Sequence, residues 1–485
     1  SALSAAPEVE LTASGSISNN QAVMVQSNGT AKAVAASTAV ANPPVANTLN
    51  QIWTTDTYQS EICFDSSIDR VVGLFRHQTN GYPWYVVGQP NANGSITWDT
   101  PTQLQSTNRT YGKIGSFGNG KVVVVNKPNW GDNEIIYVRI GTVNASNNTI
   151  SWGSETNVGT GNEPTLEMID SSYFIVTWRQ ANASNGMMMK VIQQTGTNGI
   201  SQGSNQNAGW SDFHMGGNAA EATYNSSTNK CVWAWRSTSN TLRHLIGTVN
   251  TSNKTISWGT AGSDPDSGHP NGIDSVWVSN TQFITFFRSN THSTGRYVVV
   301  TISGNNMTSI SSPVTFLSSG TAGQPKSEWM SGQSRILLTY KDGSTSDRIR
   351  VQIGTFSSGS VTWGTSVLLL GNTGQPEYYG MTPDDEGRAI FLTDDQTGGV
   401  SQYSTIVNLT TTSTDADKFI GFSTAAYSNG QTATIAVVGN TSTQSSLTAG
   451  LKYYVQKNGT LATTADTPSV EAGIALSSTK LLIKG

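Results

Sequence analysis

The chain has 485 residues, of which 27 are basic and 31 acidic, so only 12% are charged and the net charge is −4. That balance excludes an electrostatic nucleic-acid binder, which needs a basic excess, and 36% apolar content with 13 Trp excludes a disordered chain. No apolar run approaches the roughly 18 residues of a membrane-spanning helix, and the opening SALSAAPEVE lacks the basic and apolar regions of a signal peptide.

What remains is Ser, Thr, Asn, Gly, Val and aromatic residues, the composition of short β-strands and polar turns. In chain order, residues 10–34 predict a hairpin of two alternating strands around Ser27-Asn28-Gly29. Residues 36–48 contain Pro43-Pro44 and predict an extended linker. LNQIWTTDT (49–57) predicts a strand.

From residue 58 to about 410 the chain repeats itself. GSITWDT (94–100), TISWGSE (149–155), TISWGTA (255–261) and SVTWGTS (360–366) nearly coincide, and a strand ending in Gly-Thr precedes three of them. In step with these, Arg76, Lys127, Arg179, Arg236, Arg288, Lys341 and Asp394 each close an apolar strand, at a period of about 53 residues. Each unit holds about four strands. A four-stranded sheet cannot bury both faces alone, and stacking such sheets around an axis is the β-propeller solution. The last unit lacks an ITWG-like strand, and the segment 49–57 supplies one, with Trp53 in the position of Trp98, Trp152, Trp258 and Trp363. Closure of that kind removes an open sheet edge.

Residues 418–485 predict a small all-β module with an Asn458-Gly459 turn, completed by the hairpin of 10–34. The expectation is therefore an all-β protein: a seven-bladed β-propeller (46–412), closed by strand 49–57 and inserted into a small β-sandwich or barrel-like module made of 1–45 and 413–485. Cys63 and Cys231 lie in apolar strand-like runs and read as two buried thiols. No Cys/His spacing suggests a metal, and no cofactor is expected.

The C-terminal pattern FIGFSTAAYSNGQTATIAVVG…SSLTAGLKYYVQKNGTLATT…PSVEAGIALSSTKLLIKG resembles the small β module of structural and tail-fibre proteins of tailed bacteriophages, marine and cyanobacterial ones especially. NNQAVMVQSNGTAKAV is similar to the opening hairpin of that module, and the central GTVxxxxxTISWG array resembles those found between its halves. The resemblance covers about 110 residues of the module. It implies a virion protein displayed on the phage particle, with the propeller as distal head: a receptor-binding adhesin for host-surface glycan. The partners implied are other virion proteins and host polysaccharide, with a homotrimer by analogy to phage fibres, and neither nucleic acid nor membrane. A capsid decoration protein and a polysaccharide depolymerase are the alternatives.

An enzyme is not the expectation. NGSITW (93–98) echoes the Asp-box hairpin of sialidases without its Asp, and a structural hairpin ending in Trp accounts for it. A glycosidase needs two carboxylates at a set separation. Glu61, Glu167, Glu221, Asp274, Glu328 and Glu377 stand near the first-strand starts of six units and read as one repeated feature, not a unique catalytic pair. The basic series at the second-strand ends is expected to pair with these acids from blade to blade around one rim, with Arg179 and Arg236 as rim groups that could meet a glycan. Aromatic residues in loops are the other candidates for saccharide stacking: Tyr82, Trp84, Trp130, His269, and Trp210, Asp212, Phe213 and His214 in the loop 204–218, which ranks first. Asp384-Asp385-Glu386 and the Asp264/Asp266 pair lack EF-hand spacing and read as solvated turns.

Overall fold

The computed structural model describes residues 6–484 other than 27–28, 35, 48–49, 92–93, 132, 181–185, 208–219, 265–267, 318–321, 331–333, 346–347, 370–378, 385–386, 396–400, 415, 457 and 466–468. Among the described residues there is no α-helix; the elements are antiparallel strands and two short 3-10 turns. The chain forms two compact units. One gathers both ends, 1–40 and 410–485, and the other comprises 41–409. The divisions fall at 40/41 and 409/410, not at the expected 45/46 and 412/413.

The first unit contains two five-stranded sheets. In one, Ala22–Val25 and Glu8–Thr12 from the N-terminal part pair with Phe419–Ser423 and Thr432–Ala436 from the C-terminal part. The other is built from Thr441–Thr443, Lys452–Val455, Leu461–Ala462, Glu471–Ala475 and Lys480–Ile483. Met24, Val34, Phe422, Tyr453, Val455, Leu481 and Ile483 join both in a single core cluster.

The second unit is built from the repeat. In its fourth copy, Ala220–Asn225, Lys230–Arg236, Leu242–Asn250 and Thr255–Trp258 pair in sequence order, and Gly262–Asp264 pairs with the other end of Leu242–Asn250. The second strands are near-continuous apolar runs such as KCVWAWR and KVVVVNK. A strand buried on both faces needs such a run, whereas a half-buried one would alternate. Among the described residues, six of the gaps between neighbouring copies have a core of their own. Cys231, Trp233 and Trp235 meet Ile175, Met187, Met189 and Val191 of the preceding copy. Val232 and Ala234, on the other face, meet Ile273, Phe283 and Phe287 of the next. Burying a side chain of this size contributes roughly 1.5–3 kcal/mol.

The first strands succeed one another: Thr57–Asp65 lies against Thr110–Gly118, and so on through Thr156–Met168, Ala220–Asn225, Pro270–Trp277 and Ala322–Met330. Tyr379–Pro383 of the last copy returns to Thr57–Asp65. Ile390, Leu392 and Ile406 of that copy share a core with Ile62, Val71 and Phe75 of the first.

A steric device explains the Gly-Thr…Trp signature. Gly88, Gly141, Gly247 and Gly354 of four third strands face Trp98, Trp152, Trp258 and Trp363 of the fourth strands. A Cβ on any of them would stand 2.5–2.8 Å from the opposing indole. The bare glycine lets the ring lie flat across the neighbouring strand.

Two expectations are corrected. The segment read as a linker is the strand Ala36–Ala46, which pairs with Ser401–Thr414 at a sheet edge; an edge strand tolerates Pro43 and Pro44 because its N–H groups on one side have no partner to serve. Asn50–Trp53 also pairs with that strand, with Trp53 opposite Gln402, so it fills the place of the short fifth strand and Ala36–Ala46 that of the ITWG strand. Among the described residues the repeated strands of the unit form six hydrogen-bonded sheets. The 13-residue strand Thr156–Met168 pairs first with Glu134–Asn144 and then, past a bulge at Asn162/Thr165, with Tyr173–Arg179, which fuses the second and third copies into nine strands.

Candidate functional site

The first strands carry the chemistry. In five of them the register shifts by one residue near the start, between Tyr58/Glu61, Thr110/Lys113, Asn162/Thr165, Asn271/Asp274 and Gly323/Lys326. Such a bulge re-aims the side chains that follow. Past it, Glu61, Lys113, Asp274 and Lys326 face Leu74, Val125, Phe286 and Thr339, and Glu221, in a strand with no such shift described, faces Ala234 at the same level of the repeat. Glu167 and Glu328 face Ile175 and Leu337, two residues deeper. All seven line one cavity of about 270 Å³, with Gln59, Ser275 and Tyr379.

The acids are therefore not six equivalents. They form two tiers, and lysines stand in the upper tier of the second and sixth copies. Nor is Glu61 held by second-strand bases: its Oε1 is 2.5 Å from Lys113 Nζ and its Oε2 3.2 Å from Lys326 Nζ. In the seventh copy the level belongs to Gly380, opposite Leu392. A Cβ there would stand 2.8 Å from the Glu61 backbone, so the glycine lets the last first strand close on the first. Tyr379 beside it is buried, and its hydroxyl donates to Gln324 O at 2.7 Å.

The carboxyls differ in protonation. Burial alone would raise Glu61, but Lys113 and Lys326 outweigh it and hold the group below the ordinary carboxylate range. Burial, with Glu221 nearby, pushes Asp274 up to about 8 against the hydrogen bond it accepts from Ser327 Oγ. Burial takes Glu328 to about 7. Burial, aided by the neighbouring acids, raises Glu167 further than the hydrogen bond from Tyr224 N–H can offset. Burial also raises Glu221, against both lysines. Near neutral pH the cavity thus sets an ionised acceptor, Glu61, beside carboxyls that burial biases towards the protonated, donor form, Asp274 and Glu167 among them. Among the described residues, no three His, Cys, Asp or Glu side chains cluster to hold a metal ion.

A second site lies where the first and second copies meet. The Arg76 guanidinium is 5.7 Å from the Tyr58 ring and 5.8 Å from the Trp130 ring, and the two rings meet edge to face at 5.9 Å. Trp130 keeps 43% of its surface exposed. Arg76 Nη2 is 3.4 Å from Asn108 Oδ1. Gly81, at φ +72°, allows this approach; a Cβ there would stand 2.7 Å from Nη2 and 2.6 Å from the Asn108 side chain.

The other expected residues divide. Trp84 is partly buried and packs at 4.6 Å on Trp53 in the core between the last and first copies. Arg179 and Arg236 are 2% and 4% exposed, too enclosed to serve as surface contacts. Arg179 Nε lies 3.9 Å from Glu163, and Arg236 Nη1 donates to Pro270 O. Tyr82 is half-buried in a turn held by the bond from its N–H to Asn80 Oδ1. His269 takes a left-handed φ of 59° just ahead of Pro270–Trp277. Trp210, Asp212, Phe213, His214 and Glu377 lie outside the described residues. Lys113, Lys326, Tyr58 and Asn108 were not expected. Aligning the copies on the base that ends the second strand places Lys326 in the column of Glu61 and Lys113 in that of Asp274, and would have found both.

No protein-family model and no curated protein matches the chain. Among solved structures, a sialidase from Streptococcus pneumoniae is similar at TM-score 0.43 and 12% identity, over 74% of this chain and 70% of that one. The Aleuria aurantia lectin, in complex with a fucosylated saccharide, is similar at 0.40 and 13%, over 66% and 98%. A polysaccharide lyase is similar at 0.47 and 10%, over 76% and 100%. Likenesses of this size carry no conclusion about ligand or activity.

Proposed function

We propose that the protein is a virion adhesin of a tailed phage, in which a seven-bladed β-propeller inserted into a small β module recognises host-surface glycan. The flanking sequence patterns support the virion setting, and the unit formed by 1–40 with 410–485 supports a module assembled from both ends of the chain. Seven copies of one strand pattern, with first strands that return to their start, support the propeller. The observation that carries glycan recognition is the exposed Trp130 ring, backed by Arg76. Saccharides stack their C–H faces on indole rings, and an exposed, braced ring keeps a low entropy cost of contact. The small module would join other virion proteins.

The test is retention of the purified chain on an array of bacterial surface polysaccharides. Trp130→Ala should lower affinity at least about tenfold with an unchanged melting temperature. A chain that occupies phage heads and binds no saccharide would be a decoration protein instead. One observation favours a second reading, a depolymerase: carboxyls of unlike protonation share the cavity, the pattern that sets an acid apart from a base. Release of reducing ends from the bound polysaccharide would establish it.

A further inference from the structure

Arg76 lacks what three other guanidinium groups have. Arg109 is paired with Glu155, Arg350 with Asp342 and Arg388 with Asp384. Among the described residues, Arg76 has no carboxylate within reach; its contacts are two rings and the long approach to Asn108. Its Nε is sealed from solvent without an acceptor. Burial, only partly offset by the Tyr58 phenol, lowers its pKa from the ordinary arginine value. A guanidinium remains charged under such a shift. A half-buried cation without an anion has unspent capacity for one, because charge-assisted bonds to guanidinium are about twice as strong as neutral ones.

We propose that Arg76 and Trp130 form a subsite for an anionic sugar residue, one bearing a carboxylate or a sulfate ester. This rests on the glycan-binding reading above and adds its charge class. The sugar ring lies against Trp130, and the acidic substituent accepts hydrogen bonds from the terminal Nη groups of Arg76, since its Nε is sealed from solvent. Tyr58 holds the guanidinium from the other side. Gly81 keeps the approach open, since any side chain there would displace Nη2. Asn108 is placed to meet a neighbouring hydroxyl.

The experiment measures affinity of the whole chain for three forms of one oligosaccharide: the oligouronate, its carboxyl-reduced neutral counterpart, and that counterpart after sulfation. At least one acidic form should bind about tenfold tighter than the neutral form, and that preference should weaken as salt is raised. Arg76→Gln should bring the ratio of acidic to neutral affinity close to one. Trp130→Ala, at an exposed position, should weaken all forms together and keep the ratio. The uronate and sulfate arms identify which acid is read. Equal affinity for neutral and acidic forms, or a preference that survives Arg76→Gln in a variant of unchanged melting temperature, overturns the charge class and leaves glycan binding standing. Retention of no saccharide of any charge, here or on the array, overturns both.

Discussion

Glu61 and Lys326 are 265 residues apart in the chain and 3.2 Å apart in the cavity. With Lys113 on its other oxygen, the carboxylate ties the first strands of the first, second and sixth copies together. Glu61→Gln would leave two ammonium groups facing each other in a confined space. We expect it to destabilise the fold by about 1–3 kcal/mol at neutral pH, the scale of a broken, largely buried pair. The sign of the pH dependence follows from the depressed carboxyl. Its contribution is fully present above the ordinary value of 4.5 and is lost as pH falls through the lower folded value. Urea unfolding of parent and variant across that range should converge in acid; equal stability at neutral pH would mean that water serves the lysines as well as Glu61 does.

Asp274 predicts the opposite trend. Its folded value of about 8 lies above the ordinary 3.8, so the folded state retains a proton that the unfolded chain releases. Stability from this group is greatest below the ordinary value and declines as pH rises through the folded one. Asp274→Asn removes that decline and can still accept the hydrogen bond from Ser327. The variant should match the parent in acid and exceed it by on the order of 2 kcal/mol at about pH 9. A thermal-unfolding series read against pH decides it; parallel curves would show that Asp274 is already ionised in the fold at neutral pH.

Some of this was legible in the sequence, for physical reasons. Runs such as KCVWAWR and YFIVTWR announce strands buried on both faces, and the paired glycines and tryptophans announce one repeated third-to-fourth-strand contact. Ala36–Ala46 was misread because Pro43-Pro44 excludes a central strand but not an edge one. The acids were visible as a set, yet their tiers were not. Depth is decided by whether the carboxylate falls at the level of Glu61 or two residues on, as Glu167 and Glu328 do where Thr165 and Lys326 hold the upper level. Trp130 could be named as a loop aromatic. That Arg76 lies against its ring without an acid could not, because Tyr58, Asn108 and Trp130 come from three separate stretches of chain.

The contact between Gly247 and Trp258 tests why the repeat keeps its glycine. Gly247→Ala would place a methyl 2.4 Å from Ile256 Cγ2 and 2.8 Å from the indole. Trp258 also packs against the core shared by the third and fourth copies, so the ring cannot simply swing away. Overpacking of this kind costs about 1–3 kcal/mol, and the loss should appear as a lower denaturant midpoint with an unchanged slope. A second substitution that shrinks the ring, Trp258→Leu in the Gly247→Ala background, should return part of that loss, since the two residues face each other directly. Strict additivity of the two changes would deny the contact.

Gly380 bears on closure itself. The atoms a Cβ would meet there are the Cα and C of Glu61 and the N of Ile62, all at 2.8 Å and all backbone. No rotamer change relieves that clash; the last first strand would have to move away from the first. Gly380→Ala should therefore act at the seam between the last and first copies, where Ile62, Phe75, Leu392 and Ile406 pack. A loss of about 1–3 kcal/mol is expected, and hydrogen exchange should quicken in Thr57–Asp65 and Arg388–Asp395 before it does in the strands of the fourth copy. Exchange that quickened evenly throughout residues 41–409 would instead mean that the seam opens only when the whole unit unfolds.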